Sequence, residues 1–262
     1  MSTPTNIVND AEQRLPRTFG LKDIFTCINL LGGVMALVFC IEGNVRYAAY
    51  SFLAGYMFGD SLDGLVARAT NTFNRFGAEF DTIADHLTQC VVPAMMLYVV
   101  YRPTSPILGA ALASAVVIAG SIRHARGAVA SADFPMAYIG VPRTVSALAL
   151  IAYVNAAFIP RLPGWQWYGI PLTLALCAAQ LLPIPFRSHK GRKLKHWVKY
   201  FIFAFFTMTA ISMVVLREYV FDIVLVWIVA YGCLSWLELE RDERREFFTR
   251  ARSWAERVRA AR

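Results

Sequence analysis

The sequence has few histidine and cysteine residues. It has four histidines, and its five cysteines lie singly in apolar runs with no C-x-x-C pair. Structural zinc sites and disulfide frameworks need such residues in clusters, so neither is expected. We expect the cysteines to be small buried apolar residues. They are Cys27, Cys40, Cys90, Cys177 and Cys233.

Charged side chains are also scarce. They make up 17% of the chain, whereas hydrophobic residues make up 57% and the mean hydropathy is +0.46, which indicates a membrane protein. Residues 1–18 are polar and lack the apolar core of a signal peptide, so we expect the first membrane helix to stay as an anchor. The sequence shows no nucleic-acid-binding motif and no internal repeat of the transporter kind.

The apolar segments predict an all-α, polytopic integral membrane bundle of about eight transmembrane helices. We divide the chain into a cytoplasmic arm (1–18), a transmembrane catalytic domain (19–238) and a basic amphipathic tail that lies on the membrane surface (239–262). The predicted spans are 19–40, 45–68, 77–101, 107–122, 145–159, 170–184, 198–216 and 219–237.

The positive charges predict the orientation of these spans. Of the 26 Lys and Arg residues, four fall on one side, namely Arg46, Arg102, Arg161 and Arg217, which leaves 22 on the other. Cytoplasmic loops carry the excess of Lys and Arg, so both termini should be cytoplasmic. We therefore expect an inner-membrane protein, with anionic lipid near its basic loops.

Four aspartates are the most informative residues of the chain. Asp60 and Asp63 are three residues apart, and Asp81 and Asp85 are four apart, so each pair lies on one face of its own helix. Two such helices facing each other would direct all four carboxylates to one point. We therefore predict that the four carboxylates converge near the cytosolic surface of the membrane. Each aspartate lies near the cytosolic end of its predicted span.

Acids at membrane depth need compensation. Each aspartate costs about 2.5 to 3.5 kcal/mol on insertion scales, so something positive must bind the four. Hard oxygen donors without sulfur or paired imidazole select Mg²⁺ or Mn²⁺. Magnesium usually keeps open positions for phosphates, so we expect a phosphate ester or anhydride as substrate.

The residues between the two pairs suit such a substrate. Gly64, Ala67 and Gly77 remove side-chain bulk from the acidic faces, which allows close approach of a ligand. Arg68 adds a positive charge suited to bidentate contact with phosphate.

The pattern Asp60-x-x-Asp63-Gly64-x-x-Ala67-Arg68, eight residues, Gly77-x-x-x-Asp81-x-x-x-Asp85 resembles the motif of the CDP-alcohol phosphotransferase family of membrane enzymes. The resemblance implies a metal-dependent enzyme, often dimeric, with a six-helix catalytic core, here followed by two further helices. It also implies roles for the matching residues: metal binding by Asp60, Asp63, Asp81 and Asp85, general-base catalysis by Asp85, and binding of the CDP group by Asp60, Gly64, Ala67, Arg68, Gly77 and Asp81. Spacing alone does not divide the four aspartates between these roles.

Three further stretches, 25–33, 71–85 and 138–148, look like those of CDP-diacylglycerol serine phosphatidyltransferases. That resemblance implies CDP-diacylglycerol and L-serine as substrates, and phosphatidylserine and CMP as products. One departure is the run from Arg123 to Ala128, RHARGA, where that branch commonly has an R-L-A-R-F-N-like run. Inositol phosphate or glycerol 3-phosphate therefore stays open as acceptor. A transporter or channel with an acidic path is a more distant alternative.

Several polar residues outside the motif stay unassigned. Five cations would suit either the carboxylate of serine or an acceptor phosphate: Arg123, Arg126, Arg143, Arg187 and Lys190. Asn29 is expected either to hydrogen-bond a neighbouring helix or to contact substrate. His86 points about 100° away from Asp85 on an ideal helix, so we expect a structural role for it.

Overall fold

The computed structural model describes residues 19–62, 75–130, 137–187, 196–237 and 241–260, and these are mostly helical. A π turn, Tyr56–Asp60, continues the second helix, and a second π turn, Leu87–Val91, joins the third helix to the fourth. The helices are α1 (Leu21–Ile41), α2 (Val45–Gly55), α3 (Arg75–His86), α4 (Val92–Tyr101), α5 (Pro106–Ala130), α6 (Arg143–Asn155), α7 (Trp165–Leu181), α8 (His196–Val215), α9 (Val220–Leu237) and α10 (Arg241–Ala260).

Three helical segments among the described residues are long and apolar enough to cross a membrane: Leu21–Ile41, Phe76–Tyr101 and Pro106–Val129. The apolar helices Tyr200–Val215 and Val220–Ser235 are shorter. α6 has only 13 residues, or about 20 Å, although about 20 residues are needed to span a bilayer. The apolar helical bundle is thus observed, whereas the number of eight spans stays a prediction.

The outer surface of the bundle is apolar. Leu31, Ile107 and Val215 are 61%, 82% and 70% exposed, respectively. Large apolar side chains at this exposure suit contact with lipid. The same outer surface accounts for Cys27 and Cys233, which we expected to be buried but which are exposed on apolar helices. The other three cysteines are buried, as expected.

α6 is the central helix of the bundle. Almost every residue from Arg143 to Asn155 is buried. One side of α6 contributes Leu148 and Ile151 to a core with α1, α2 and α9, and another contributes Leu150 and Tyr153 to a core with α4, α5 and α7. Because α6 packs against both groups of helices, the position of its first turn is firmly determined.

Two consecutive glycines let α1 pack closely against two neighbours at once. A Cβ atom on Gly32 would lie 2.6 Å from the Cα of Gly55 in α2. A Cβ atom on Gly33 would lie 2.6 Å from Cγ2 of Thr88, just beyond α3. α1 therefore lies between α2 and the π turn that follows α3, and it holds both at short distance.

A two-stranded antiparallel ribbon, which the all-α prediction did not include, links distant parts of the chain. β1 (Ala137–Ile139) pairs with β2 (Pro185–Arg187). Three-residue strands leave almost no periodic pattern in a sequence, and this pairing forms only because the bundle brings the α5–α6 and α7–α8 connections together. The ribbon ties the segment before α6 to the end of α7.

The tail forms a helix, α10, as its helical periodicity predicted. Phe247 is only 5% exposed and packs with Ile139 of β1 and with Trp254. Part of the apolar face of α10 is thus covered by the ribbon, while Phe248 stays 42% exposed. Its placement on the membrane surface remains a prediction.

Gly140 provides a test of the turn between β1 and α6. Its φ is +78°, and a Cβ atom there would overlap the carbonyl oxygen of Gln180 and lie 2.9 Å from that of Ala179. We expect Gly140→Ala to lower the free energy of unfolding by about 2 to 4 kcal/mol. Thermal unfolding in detergent measures the change.

Gly127→Ala is the matched control for that substitution. Gly127 is an exposed residue of α5, and a Cβ atom there meets nothing within 4 Å. Alanine should stabilise this helical position by about 0.5 to 1 kcal/mol. Equal loss of stability in the two variants would contradict the role that we assign to the Gly140 turn.

Candidate metal centre and active site

Three of the four predicted aspartates meet at one point. Asp60 ends the π turn after α2, and Asp81 and Asp85 are one turn apart on α3. One carboxylate oxygen from each lies within 4.8 Å of those of the other two, and all three side chains are half-buried. The predicted convergence is therefore confirmed for these three residues.

The other predicted residues of the connection between α2 and α3 lie outside the described residues. They are Asp63, Gly64, Ala67 and Arg68. Their assignments to metal or to the CDP group stay predictions.

The three carboxylates fit a divalent cation. Oδ1 of Asp81 is buried and has no hydrogen-bond partner. Three like charges at this distance repel each other, and a buried carboxylate oxygen without a partner is costly. Because all the ligand atoms are hard oxygens, an ion such as Mg²⁺ or Mn²⁺ suits the cluster.

Asn29 of α1 connects the two helices that carry the acids. It is 1% exposed, and its Nδ2 donates a hydrogen bond of 3.3 Å to Oδ1 of Asp85. Gly59, the residue before Asp60, packs directly on the Asn29 backbone, where a Cβ atom would overlap the Asn29 nitrogen. Of the two roles expected for Asn29, the structure shows the contact with a neighbouring helix.

Both acidic segments adjoin π turns. Asp60 closes the turn Tyr56–Asp60, and the turn Leu87–Val91 begins two residues after Asp85. A π turn inserts about one residue into the helical repeat and is frequent at functional sites. The regular α-helical spacing, from which the positions of the aspartates were predicted, is therefore interrupted beside the cluster.

Arg143, at the start of α6, lies against the cluster. Its Nη2 is 3.8 Å from Oδ2 of Asp85, while its Nη1 is buried and has no hydrogen-bond partner. The next residue, Thr144, donates a hydrogen bond of 3.0 Å to Oε1 of Gln89, one turn beyond Asp85. These two contacts join the first turn of α6 to the end of α3.

The comparison with known proteins agrees with this geometry. Residues 20–179 match the CDP-alcohol phosphatidyltransferase family, and this segment contains the three aspartates and Arg143. The chain belongs to this family. The resemblance of the motif is thereby confirmed, and membership together with the apolar helices identifies an integral membrane protein.

Three curated relatives of this chain share one name. The chain is 31% identical over 133 residues to a CDP-diacylglycerol–serine O-phosphatidyltransferase of Helicobacter pylori, which covers 50% of this chain and 56% of the relative. It is 31% identical over 135 residues to that of Methanocaldococcus jannaschii (51% and 59%) and 30% identical over 128 residues to that of Bacillus subtilis (49% and 71%). The chain thus spans little more than half the length of the first two relatives.

The Arg126 side chain binds backbone carbonyl groups rather than the aspartate cluster. Its guanidinium donates to the carbonyl oxygens of Leu181, of Gln180 at 2.7 Å and of Ile139 at 3.0 Å. Arg126 thereby joins α5 to the end of α7 and to β1. Nε2 of His86 lies 3.5 Å from Oγ of Ser121 in α5, a contact between helices that agrees with the expected structural role.

Gly77, one turn before Asp81, contacts α1. A Cβ atom on Gly77 would lie 2.5 Å from Nζ of Lys22 and 2.5 Å from Oδ1 of Asp23. These two side chains are 7% and 0% exposed and form an ion pair of 3.6 Å. The absence of a side chain at Gly77 thus makes room for this pair, and a role in shaping the CDP pocket stays a prediction.

We expect Asn29→Ala to lower the turnover of a family substrate by about tenfold or more, because the Asp85 carboxylate loses the donor that orients it. Release of CMP from a CDP-lipid measures the effect. Thr26→Ala, one turn earlier on the same buried face, is the control for packing of α1. Equal activity losses in the two variants would contradict a specific role for Asn29.

Proposed function

We propose that this protein transfers the phosphatidyl group of CDP-diacylglycerol to the hydroxyl of L-serine, with phosphatidylserine and CMP as products. The convergence of Asp60, Asp81 and Asp85 in a chain of this family carries the proposal. The name shared by the relatives supports serine as the acceptor.

The reaction exchanges one bond to phosphorus for another. The hydroxyl oxygen of serine bonds to the phosphorus that carries the diacylglycerol, and the bond from that phosphorus to the bridging oxygen of the diphosphate breaks. CMP leaves with the electron pair of this bond. Asp85 accepts the hydroxyl proton as general base, and Asn29 orients its carboxylate through the hydrogen bond described above.

In this proposal Asp60, Asp63, Asp81 and Asp85 would hold a divalent ion. When bound, the ion would supply positive charge to offset the charge of the diphosphate and of the departing CMP. Gly64, Ala67, Arg68 and Gly77 shape the pocket of the CDP group. These assignments rest on the family motif and, for three acids, on the observed cluster.

The placement in the membrane is also a proposal. We infer eight spans in the cytoplasmic (inner) membrane, with both termini and the acidic cluster on the cytoplasmic side, as the distribution of Lys and Arg favours. We further propose a homodimer, in keeping with the family. Gly32 and Gly33, small residues that could otherwise allow contact between subunits, pack inside the chain against α2 and the π turn that follows α3.

An acceptor assay tests the proposed function. Purified protein is given CDP-diacylglycerol, Mg²⁺ or Mn²⁺, and in turn L-serine, glycerol 3-phosphate or inositol phosphate, and CMP release is measured. We expect release with serine alone. Release with glycerol 3-phosphate or inositol phosphate but not with serine would overturn the choice of acceptor. These two acceptors are the alternatives to test, because the run RHARGA departs from the one common in the serine branch.

A further inference from the structure

We propose that Arg143 binds the carboxylate of the acceptor and thereby selects an amino acid over a neutral alcohol. This inference rests on the proposed function and assigns a specificity-determining residue to the same site. It concerns a cation outside the aspartate motif, contributed by α6 rather than by α2 or α3.

The guanidinium of Arg143 is buried but incompletely paired. The side chain is 9% exposed, and its ion-pair partner, Oδ2 of Asp85, is 3.8 Å away, beyond hydrogen-bond distance. Its Nη1 is buried without any hydrogen-bond partner. A buried charged donor without an acceptor costs free energy, and an anionic ligand would remove that cost by accepting two parallel hydrogen bonds.

The distance from Asp85 suits serine. In serine, two carbon atoms separate the hydroxyl oxygen from the carboxylate carbon, so the two groups lie about 3 to 4 Å apart by standard bond lengths. Asp85 and the Arg143 guanidinium are separated by a similar 3.8 Å. A serine whose hydroxyl faces Asp85 therefore presents its carboxylate to Arg143. In glycerol 3-phosphate, the distance from the terminal hydroxyl to the phosphate is longer.

The surrounding structure fixes the position of Arg143. Gly140 donates its N–H to the carbonyl of Ile184 at 2.8 Å, and Val141 donates to that of Ala179 at 3.0 Å. The turn that precedes α6 is thus held by backbone hydrogen bonds to α7 and to the residues just after it, which gives the guanidinium the rigid support that selective binding needs.

The other candidate cations either have partners in the structure or lie outside the described residues. Arg126 is occupied by backbone carbonyls, and Lys22 is paired with Asp23. The side chain of Arg187, and Lys190, lie outside the described residues. Arg123 also takes part in an interaction within the structure. Among the described residues, Arg143 is therefore the cation that lies beside Asp85 with a buried nitrogen open to an anionic ligand.

The experiment compares L-serine with L-serinamide, in which a neutral amide replaces the carboxylate. CMP release is measured for the wild type, Arg143→Gln and Arg143→Lys at varied acceptor and varied CDP-diacylglycerol. We expect the wild type to prefer serine at least tenfold in kcat/KM. In Arg143→Gln, KM for serine should rise at least tenfold, KM for CDP-diacylglycerol should change less than twofold, and the preference for serine should disappear. Arg143→Lys should keep part of the preference, because it keeps the charge but not the planar pair of donors.

Arg126→Gln is the matched control, because it removes a buried guanidinium that holds backbone. We expect it to lower the melting temperature and to leave the preference for serine over serinamide unchanged.

Three outcomes would overturn the inference. The first is a wild type that uses serinamide as well as serine. The second is an Arg143→Gln variant that keeps the preference for serine. The third is a rise in KM for CDP-diacylglycerol alone in Arg143→Gln, which would place the guanidinium on the diphosphate. The wild-type comparison can overturn the inference even if Arg143→Gln fails to fold, and Arg143→Lys then tests the contribution of Arg143 itself. Failure of the proposed function is distinct, since the wild type would then release no CMP with serine at all.

Discussion

Asp85→Asn is expected to lower CMP release by about 10²- to 10⁴-fold while the protein stays folded and binds CDP-diacylglycerol. Asparagine has nearly the same shape but cannot accept the hydroxyl proton. Asp85 also receives the hydrogen bond from Asn29 and lies beside Arg143, so α1 and α6 both contribute to its position. Steady-state CMP release and lipid binding in detergent measure the two properties separately.

Asp222→Asn is the control for that substitution. The Asp222 carboxylate accepts hydrogen bonds from the N–H groups of Ala157 at 2.8 Å and Phe158 at 3.2 Å, just after the end of α6 opposite to Arg143. This variant should lose some thermal stability and keep its activity. An Asp85→Asn enzyme with more than a tenth of wild-type turnover would contradict the role of general base.

Removal of divalent metal is expected to abolish activity and to lower the melting temperature. An ion that binds only the folded state stabilises it by about 2.7 kcal/mol at a concentration of 100 times Kd. Treatment with EDTA should therefore reduce both CMP release and melting temperature, and addition of Mg²⁺ or Mn²⁺ should restore both. The melting temperature is the decisive measurement, because it does not depend on the reaction.

Asp81→Asn tests whether the acidic cluster is the source of that stabilisation. The variant should show little or no thermal shift with metal. Without metal it should melt above the wild type, because it removes one of three carboxylates that repel each other within 4.8 Å. A thermal shift equal to that of the wild type would place the metal elsewhere.

Sequence spacing predicted the cluster well because its information is local. Asp81 and Asp85 are separated by one helical turn, so their shared face follows from helix geometry wherever the helix packs. The choice of metal class likewise follows from the kind of ligand atom and not from the fold. Most helical ranges were also close to those observed, since long apolar segments have few alternatives in a membrane. The predicted span 107–122 is an exception, because the helix continues to Ala130, and the span 45–68 is described only to residue 62.

Other features of the site depend on contacts between residues far apart in the sequence. Asn29 lies 56 positions before Asp85. A hydrogen bond to a neighbouring helix was one of the two roles expected for it, and the sequence did not indicate which helix that would be. Arg143 was one of five unassigned cations until the packing of α6 placed it beside Asp85. The GVPR stretch before α6 was the available signal, and it indicates a turn followed by a helix without indicating the neighbour.

The sequence by itself determined that this is a helical membrane protein with acids at metal-binding spacing, because composition and helix periodicity act within a single segment. Only the tertiary structure decided that α1 spaces the acidic helices through Gly32, Gly33 and Asn29, and that a ribbon holds the turn before Arg143. The physical reason is that close packing and pairing between segments depend on the shapes of both partners, whereas periodicity depends on one.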